Sequence, residues 1–348
     1  MSSSTATEEI VRSPITGPGA WRGPDLARGT DWLVPLTKDH RRELRDVVNR
    51  TRAEGIGLAD IDRDTFPLPT CSPLIRDIQH EVEDGHGLVV LRGLDLEGVS
   101  AEDAGLMFSV LGRAMGRPIR QNAQGHLLGH IRDTGRNIFE DPSVRGYQTK
   151  IALPFHTDTS TDLLGLLCFR KAKSGGKNFL APLLTIYNEL LRTAPELIDT
   201  LYGPFNYDCR DEEHPDGKPF YTRTAASVCE GKLSLRHNSG YARSAERHES
   251  CPRLTEEQLR VMQRIDQLSF DEEIHFALQL EEGDMLFVNN YQVMHARSEF
   301  EDHDDPALRR HLMRLWLHLY DGRKLAPQFD NRGGIVTTAS NANDGLGG

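Results

Sequence analysis

Cysteine is scarce in this chain and shows no pairing pattern. The five that occur, Cys71, Cys168, Cys209, Cys229 and Cys251, are odd in number and include no C-x-x-C spacing. That argues against a disulfide framework and fits reduced thiols in the cytoplasm. An excess of positive charge is missing too: 41 Lys and Arg stand against 52 Asp and Glu, for a net charge of −11. An acidic chain is poorly suited to nucleic acid or an anionic membrane as its main partner, so neither is expected. No apolar run approaches the roughly 20 residues that span a bilayer. The first residues, Met1 to Glu9, are Ser/Thr-rich and acidic, without the apolar centre of a signal peptide. Small molecules or peptides are the substrates left by these exclusions, and a small molecule is the expected partner.

What is present is enough chain, 348 residues, to bury a large core. Residues 1–28, rich in Ser, Thr, Gly and Pro, read as a flexible arm. Residues 331–348, rich in Gly, Ala, Asn and Ser, read as a flexible tail, and 29–330 as a single domain without linker or repeat. Helix signals are few. A helix is expected over Asp39–Ala53, and Ser100 with Asp103 forms a capping box ahead of Leu106, Met107, Val110 and Leu111. Thr193-Ala-Pro-Glu196 and Thr255-Glu-Glu-Gln258 carry the same kind of start signal. The remainder is β-like: Gly87–Leu94, Leu163–Phe169, Lys232–Arg236, Met285–Val288 and His311–Leu319 are short apolar runs between turn residues. The expected fold is mainly β with flanking helices, a jelly-roll or barrel core.

A His-x-Asp triplet occurs three times, so context has to separate the copies. His214-Pro-Asp216 and His303-Asp-Asp305 lie in polar, turn-forming strings. His156-Thr-Asp158 alone is backed by apolar sequence, Ile151-Ala-Leu-Pro-Phe155 before it and Leu163-Leu-Gly-Leu-Leu167 after. On extended backbone residues i and i+2 point the same way, which would bring His156 and Asp158 to one point. A third ligand comes from His295, beyond the strand Met285–Val288 and the polar bend Asn289-Asn-Tyr291. Two imidazoles and one carboxylate make a facial set that leaves coordination positions open on ferrous iron.

Fifteen residues beyond His295 comes Arg310, and four further on Arg314. In Arg309–Leu319, alternation would place Arg310, Leu312, Arg314, Trp316 and His318 on one strand face. A helix would also align the two arginines at i and i+4. Either way, guanidiniums inside an apolar segment are costly unless each meets an anion.

These residues resemble the motifs of the taurine dioxygenase/TfdA-like and clavaminate synthase-like iron(II), 2-oxoglutarate-dependent oxygenases. The resemblance runs from about Gly87 to Phe329. It rests on Leu153-Pro-Phe-His-Thr-Asp158, Ser174-Gly-Gly176, Asn289-Asn-Tyr291, His295-Ala-Arg297 and Arg309-Arg-His-Leu-Met-Arg314. It implies a double-stranded β-helix of cupin type, with Fe(II) held by His156, Asp158 and His295. It further implies that Arg310 pairs with the distal carboxylate of 2-oxoglutarate, with Arg314 near the cosubstrate or an acidic group of the substrate. Where the family carries Thr or Ser after the Gly-Gly, this chain has Asn178, whose amide would substitute. The implied reaction consumes O2 and 2-oxoglutarate, releases succinate and CO2, and oxidises a C–H bond. A carboxylate at 158, in place of the small residue of related halogenases, favours hydroxylation, with desaturation and ring formation left open.

The substrate expected is a small polar molecule, an amino acid derivative or other carboxylate. Gln148 in Gly146-Tyr-Gln-Thr149 is a candidate pocket residue. The polar stretch from Tyr207 to His248 is a candidate lid, with Arg236 and Arg243 as candidate contacts to an acidic group. Two other readings stay open: a cupin-type metalloenzyme that does not use 2-oxoglutarate, and a non-catalytic small-molecule-binding barrel. Oligomeric state is not legible.

Overall fold

The computed structural model describes residues 10–57, 60–122, 124–136, 144–210 and 217–330. Two β-sheets face each other, and helices cover both outer surfaces. The larger sheet runs Leu33–Pro35, Leu88–Arg92, Met285–Asn289, Leu163–Arg170, His311–Leu319 and Gly116–Pro118, with Leu128–Ile131 also paired to His311–Leu319. The smaller sheet runs Phe276–Leu278, Asn178–Pro182, Val293–Arg297 and Leu153–His156. Within these sheets every pairing is antiparallel except that of Leu33–Pro35 with Leu88–Arg92. This is the β-sandwich core expected of a jelly roll with flanking helices.

Strand alternation explains the continuous apolar runs. Leu164, Leu166 and Cys168 pack between the sheets with Leu286, Val288, Leu180 and Val293. Their neighbours Leu163, Leu167, Met285 and Phe287 pack outward, against the helices Lys38–Glu54, Ser72–Asp84 and Ala101–Met115. A strand buried on both faces has no polar positions to spare, so it reads as an unbroken hydrophobic segment. On the far side, Ala181, Met294 and Ala296 of the smaller sheet meet Ile186, Leu190, Met262 and Ile265 of the helices Leu183–Thr193 and Glu256–Ser269.

The capping signals hold with one exception. Ser100 accepts the backbone N–H of Asp103, and Thr255 and Gln258 form a reciprocal capping box. Thr193, however, ends the helix Leu183–Thr193 rather than starting one, and its hydroxyl donates back to the Glu189 carbonyl at 2.7 Å. A single 3-10 turn, Pro195–Leu197, comes next, and then the short helix Ile198–Leu201. The expected flexible arm is also corrected from Ile10 onward. Trp21 and Leu26 are buried beside the inter-sheet core, Thr185 donates to the Trp21 carbonyl, and Asn188 bonds both backbone groups of Ile15. Two large apolar anchors outweigh the small and polar residues around them. Residues 1–9 and the expected tail 331–348 lie outside the described residues. All five cysteines are free, and no described helix is long and apolar enough to cross a membrane.

Candidate active site

The smaller sheet brings the two histidines together. His156 ends the strand Leu153–His156 and is the cross-strand partner of His295 on Val293–Arg297, with ring centroids 4.3 Å apart. His156 Nδ1 lies 2.8 Å from the Pro154 carbonyl. A carbonyl only accepts, so Nδ1 is the donor there, and Nε2 is the ring nitrogen left to act as a ligand. Burial, with His156 alongside, pushes the His295 pKa down to about 3, which leaves that ring neutral and able to ligate.

Asp158 reaches the same point by another route than strand alternation. The chain leaves the sheet after His156, and Asn290 brings it back. The Asn290 side chain accepts the Asp158 N–H at 2.8 Å and donates to the carbonyls of Asp158 and Thr161, both at 2.9 Å. Thr157 in between is locked to His237, its N–H on the His237 carbonyl at 2.8 Å and its hydroxyl accepting the His237 N–H at 3.1 Å. Trp316 Nε1 donates to Asp158 Oδ2 at 2.8 Å, and Arg314 Nη1 lies 3.8 Å from Oδ1. Burial raises the Asp158 pKa, but Arg314, the two imidazoles and Trp316 outweigh it and hold the carboxyl below its usual range. One ligand atom from each of His156, Asp158 and His295 lies within 4.8 Å of the others. Two imidazoles and an ionised carboxylate at this spacing fit a divalent transition metal. The Trp316 bond and the Asn290 clamp are the outer supports that orient such ligands.

The three line a cavity of about 230 Å³ together with Arg310, Leu312, Arg314 and Trp316. Met313, Leu315 and Leu317 take the opposite, helix-backed face, as alternation in Arg309–Leu319 requires. Arg310 is 3% exposed, its Nη1 is buried without a partner, and its guanidinium lies 4.9 Å from the Phe300 ring. Burial lowers its pKa to about 10. The Gly-Gly motif has a physical task beside it. Gly175 (φ +72) and Gly176 (φ +66) take left-handed backbone, and a Cβ on Gly176 would stand 3.1 Å from Arg310 Nε. Asn178 is buried and lines the same cavity, opposite Arg297 in the sheet register.

Other candidates fall elsewhere. Gln148 does not line the cavity: its Oε1 accepts the Arg145 N–H at 2.9 Å and closes a 3-10 turn. Its neighbours Arg145, Gly146 and Tyr147 face the cavity instead. Arg236 donates to the Phe329 carbonyl at 2.6 Å and stacks on that ring, and Arg243 is exposed, so neither lines the cavity. From the stretch 207–248, Arg210, Asn238, Ser239, Gly240 and Tyr241 form part of the cavity wall. The His303 triplet sits in a surface loop where Asp305 caps a 3-10 turn, and the His214 triplet lies outside the described residues. Sequence reasoning missed Gln121, Arg145, Arg210 and Tyr241. Gln121, Arg210 and Tyr241 are distant in sequence from the ligand motifs, and Arg145 directly precedes the string in which Gln148 was the expected pocket residue.

The chain is similar to known proteins over most of its length. Residues 39–316 match the family "Taurine catabolism dioxygenase TauD, TfdA family". The chain is 31% identical over 324 residues to FR-33289 synthase of Streptomyces rubellomurinus, covering 91% of this chain and 94% of that one. It is 28% identical over 309 residues to taurine hydroxylase-like protein SAT17 of Stachybotrys chartarum, covering 85% and 77%. Among solved structures it resembles asparagine oxygenase in complex with Fe(II), 2S,3S-3-hydroxyasparagine and succinate, with TM-score 0.64, 16% identity and coverage of 82% and 93%. It also resembles the non-heme iron oxygenase OrfP in complex with Fe and alpha-ketoglutaric acid, with TM-score 0.61, 19% identity and coverage of 82% and 93%.

Proposed function

The chain belongs to the taurine catabolism dioxygenase TauD, TfdA family, and from that membership we propose that its cavity hydroxylates a C–H bond of a small polar molecule at an iron held by His156, Asp158 and His295. It is a 2-oxoglutarate-dependent dioxygenase, with Fe(II) as its metal and 2-oxoglutarate and O2 as cosubstrates. The observation that carries the site assignment is the convergence of this triad in one cavity with a buried, unpartnered arginine.

Iron(II), when bound, supplies the activation of O2 coupled to decarboxylation of the keto acid. The protein's own residues do the rest. The rings of His156 and His295 and the ionised Asp158 are the donors, and Trp316 and Asn290 keep the carboxylate aimed. Arg310 presents a guanidinium fork to the far carboxylate of 2-oxoglutarate, and the Gly175-Gly176 bend lets that fork lie close to the backbone. Asn178 offers a further polar contact on the same wall. Leu153, Phe155, Leu166 and Leu312 give the cavity an apolar lining that excludes water from the reacting region.

An amino acid derivative or another carboxylate is the substrate class this reading favours. Asparagine oxygenase is seen with a hydroxyasparagine and OrfP with a hydroxyarginine, which supports an amino acid-like substrate. Five free cysteines support a reducing, cytoplasmic setting. A cupin-type metalloenzyme that did without 2-oxoglutarate would leave Arg310 buried with no anion to meet. The test is a screen of amino acids and small organic acids for stimulated succinate release with iron and 2-oxoglutarate. Stoichiometric substrate hydroxylation is the expected result. Full turnover in a His156→Ala or Asp158→Ala variant would overturn the site assignment.

A further inference from the structure

The cavity is more basic than one cosubstrate requires. Five arginines line it, Arg145, Arg210, Arg297, Arg310 and Arg314, and the only carboxylate among its described lining residues is Asp158. They form separate groups. Arg297 and Arg310 each lie 4.9 Å from the Phe300 ring, on the wall that carries the Gly-Gly bend. Arg314 donates to Gln121 Oε1 at 2.7 Å, stacks on Trp316 and Tyr147, and lies beside Asp158.

Arg145 and Arg210 come from distant segments and meet at Tyr241, their guanidinium carbons 5.8 and 5.0 Å from its ring centroid. Arg145 Nη1 donates to the Tyr241 hydroxyl, and Arg210 Nε is buried without a hydrogen-bond partner. This group is built rather than incidental. Arg210 holds a left-handed backbone, φ +53, which is uncommon outside glycine. Asp208, fully buried, sustains it by accepting the Arg210 N–H at 2.9 Å. The same carboxylate accepts the Ser244 hydroxyl at 2.6 Å, Arg247 Nε at 2.9 Å and His248 Nε2 at 3.1 Å. One buried acid therefore fixes both the turn that presents Arg210 and the helix Ser239–Ala245 that presents Tyr241.

Resting on the dioxygenase reading above, we infer that Arg145, Arg210 and Tyr241 form a second oxyanion site that holds the charged end of the substrate. Arg314, engaged by Gln121 and beside Asp158, stands apart from this group. Carboxylate, sulfonate and phosphonate share the chemistry the site reads: several oxygens with delocalised negative charge, matched by guanidinium forks and a phenol. Asp208 is the positioning residue of this site.

The test uses full-length protein loaded anaerobically with iron(II) and 2-oxoglutarate. It is titrated calorimetrically with butyrate, propanesulfonate and propylphosphonate, and with butyramide as the neutral control. At least one anion is expected to bind saturably while butyramide does not, and their order identifies the head group. Arg210→Ala and Arg145→Ala are expected to weaken that binding at least about tenfold. Arg210→Lys, which keeps a charge, is expected to restore part of it. The visible band of the iron–2-oxoglutarate complex should persist in every variant, which shows that the fold and the cosubstrate site are intact. Absence of anion binding to the wild type, or equal binding to wild type and Arg210→Ala, would overturn the inference. Absence of the visible band in the wild type would instead overturn the dioxygenase reading beneath it.

Discussion

Replacing Arg310 by Met should make the protein more stable and less able to bind its cosubstrate. Burial is the origin of both effects: Arg310 is 3% exposed, with Arg297 sharing the Phe300 ring and no described carboxylate in ion-pair distance. Its pKa falls from 12.5 to about 10, chiefly through burial. That difference corresponds to about 3 kcal/mol against the charged form, at about 1.4 kcal/mol per tenfold. A base whose pKa is lowered on folding destabilises the folded state at every pH below the lowered value, so neutral pH carries the whole penalty. Methionine keeps most of the apolar stem and removes the charge. Without 2-oxoglutarate the variant should therefore gain about 1–3 kcal/mol, a rise of a few degrees in Tm. With 2-oxoglutarate the gap should close or reverse. Wild type at a hundredfold excess over Kd gains about 2.7 kcal/mol from mass action. The variant, having lost a buried charge-assisted fork that contributes about 2–5 kcal/mol, should show little shift and a KM for 2-oxoglutarate raised by about 30-fold or more. Thermal unfolding of the iron-loaded, anaerobic protein, with and without 2-oxoglutarate, reads both effects. A variant that is less stable without cosubstrate and still shifts with it would refute the reasoning, because Arg310 would then be an internal structural group.

The site's supports give three further outcomes. Trp316→Phe keeps the ring packing but removes the N–H on Asp158 Oδ2, and should weaken iron(II) affinity or kcat by about 10–100-fold with KM for 2-oxoglutarate little changed. Gly176→Ala places a Cβ at φ +66 and 3.1 Å from Arg310 Nε, and should raise the 2-oxoglutarate KM more than it lowers kcat, as steady-state kinetics would show. Asp208→Asn should cost about 2 kcal/mol at pH 7 by weakening hydrogen bonds to a buried carboxylate. Burial raises the Asp208 pKa, but Ser244, Arg247, the Arg210 amide and His248 together bring it below the usual carboxylate range. Its stabilisation is therefore present above the unfolded value and lost as pH falls through the lowered one. Urea unfolding from pH 7 down to pH 3 should show the gap between Asp208→Asn and wild type narrowing, and a constant gap would contradict this account.

The convergence of His156 and Asp158 in one cavity was legible because their spacing is local. His156 and Asp158 are two residues apart, an apolar strand lies just beyond them, and the alternation from Arg310 to Trp316 assigns one face without any knowledge of the fold. The sandwich was legible for a related reason: strands such as Leu163–Arg170 and Met285–Asn289, buried on both faces, leave unbroken apolar runs. The features that escaped depend on contacts distant in sequence. Nothing near Gln148 reveals that its amide closes a turn while Tyr147 faces the cavity. Arg210 and Tyr241 are held together by Asp208, which bonds Ser244 of the helix Ser239–Ala245 and Arg247 just beyond it, 36 and 39 residues along the chain. Thr193 misled because a Thr-x-Pro-Glu string has the composition of a helix start, while its hydroxyl closes the preceding helix. The N-terminal arm misled because composition averages over Trp21 and Leu26, the two residues that anchor it.

The central claim is that His156, Asp158 and His295 hold iron(II) in position to receive 2-oxoglutarate. Anaerobic addition of iron(II) and then 2-oxoglutarate to metal-free protein, monitored by visible absorption, tests it directly. A saturable charge-transfer band at one iron per chain, abolished in His295→Ala, is the predicted result. A wild-type protein without the band, or a His295→Ala variant that keeps it at full strength, would contradict the account.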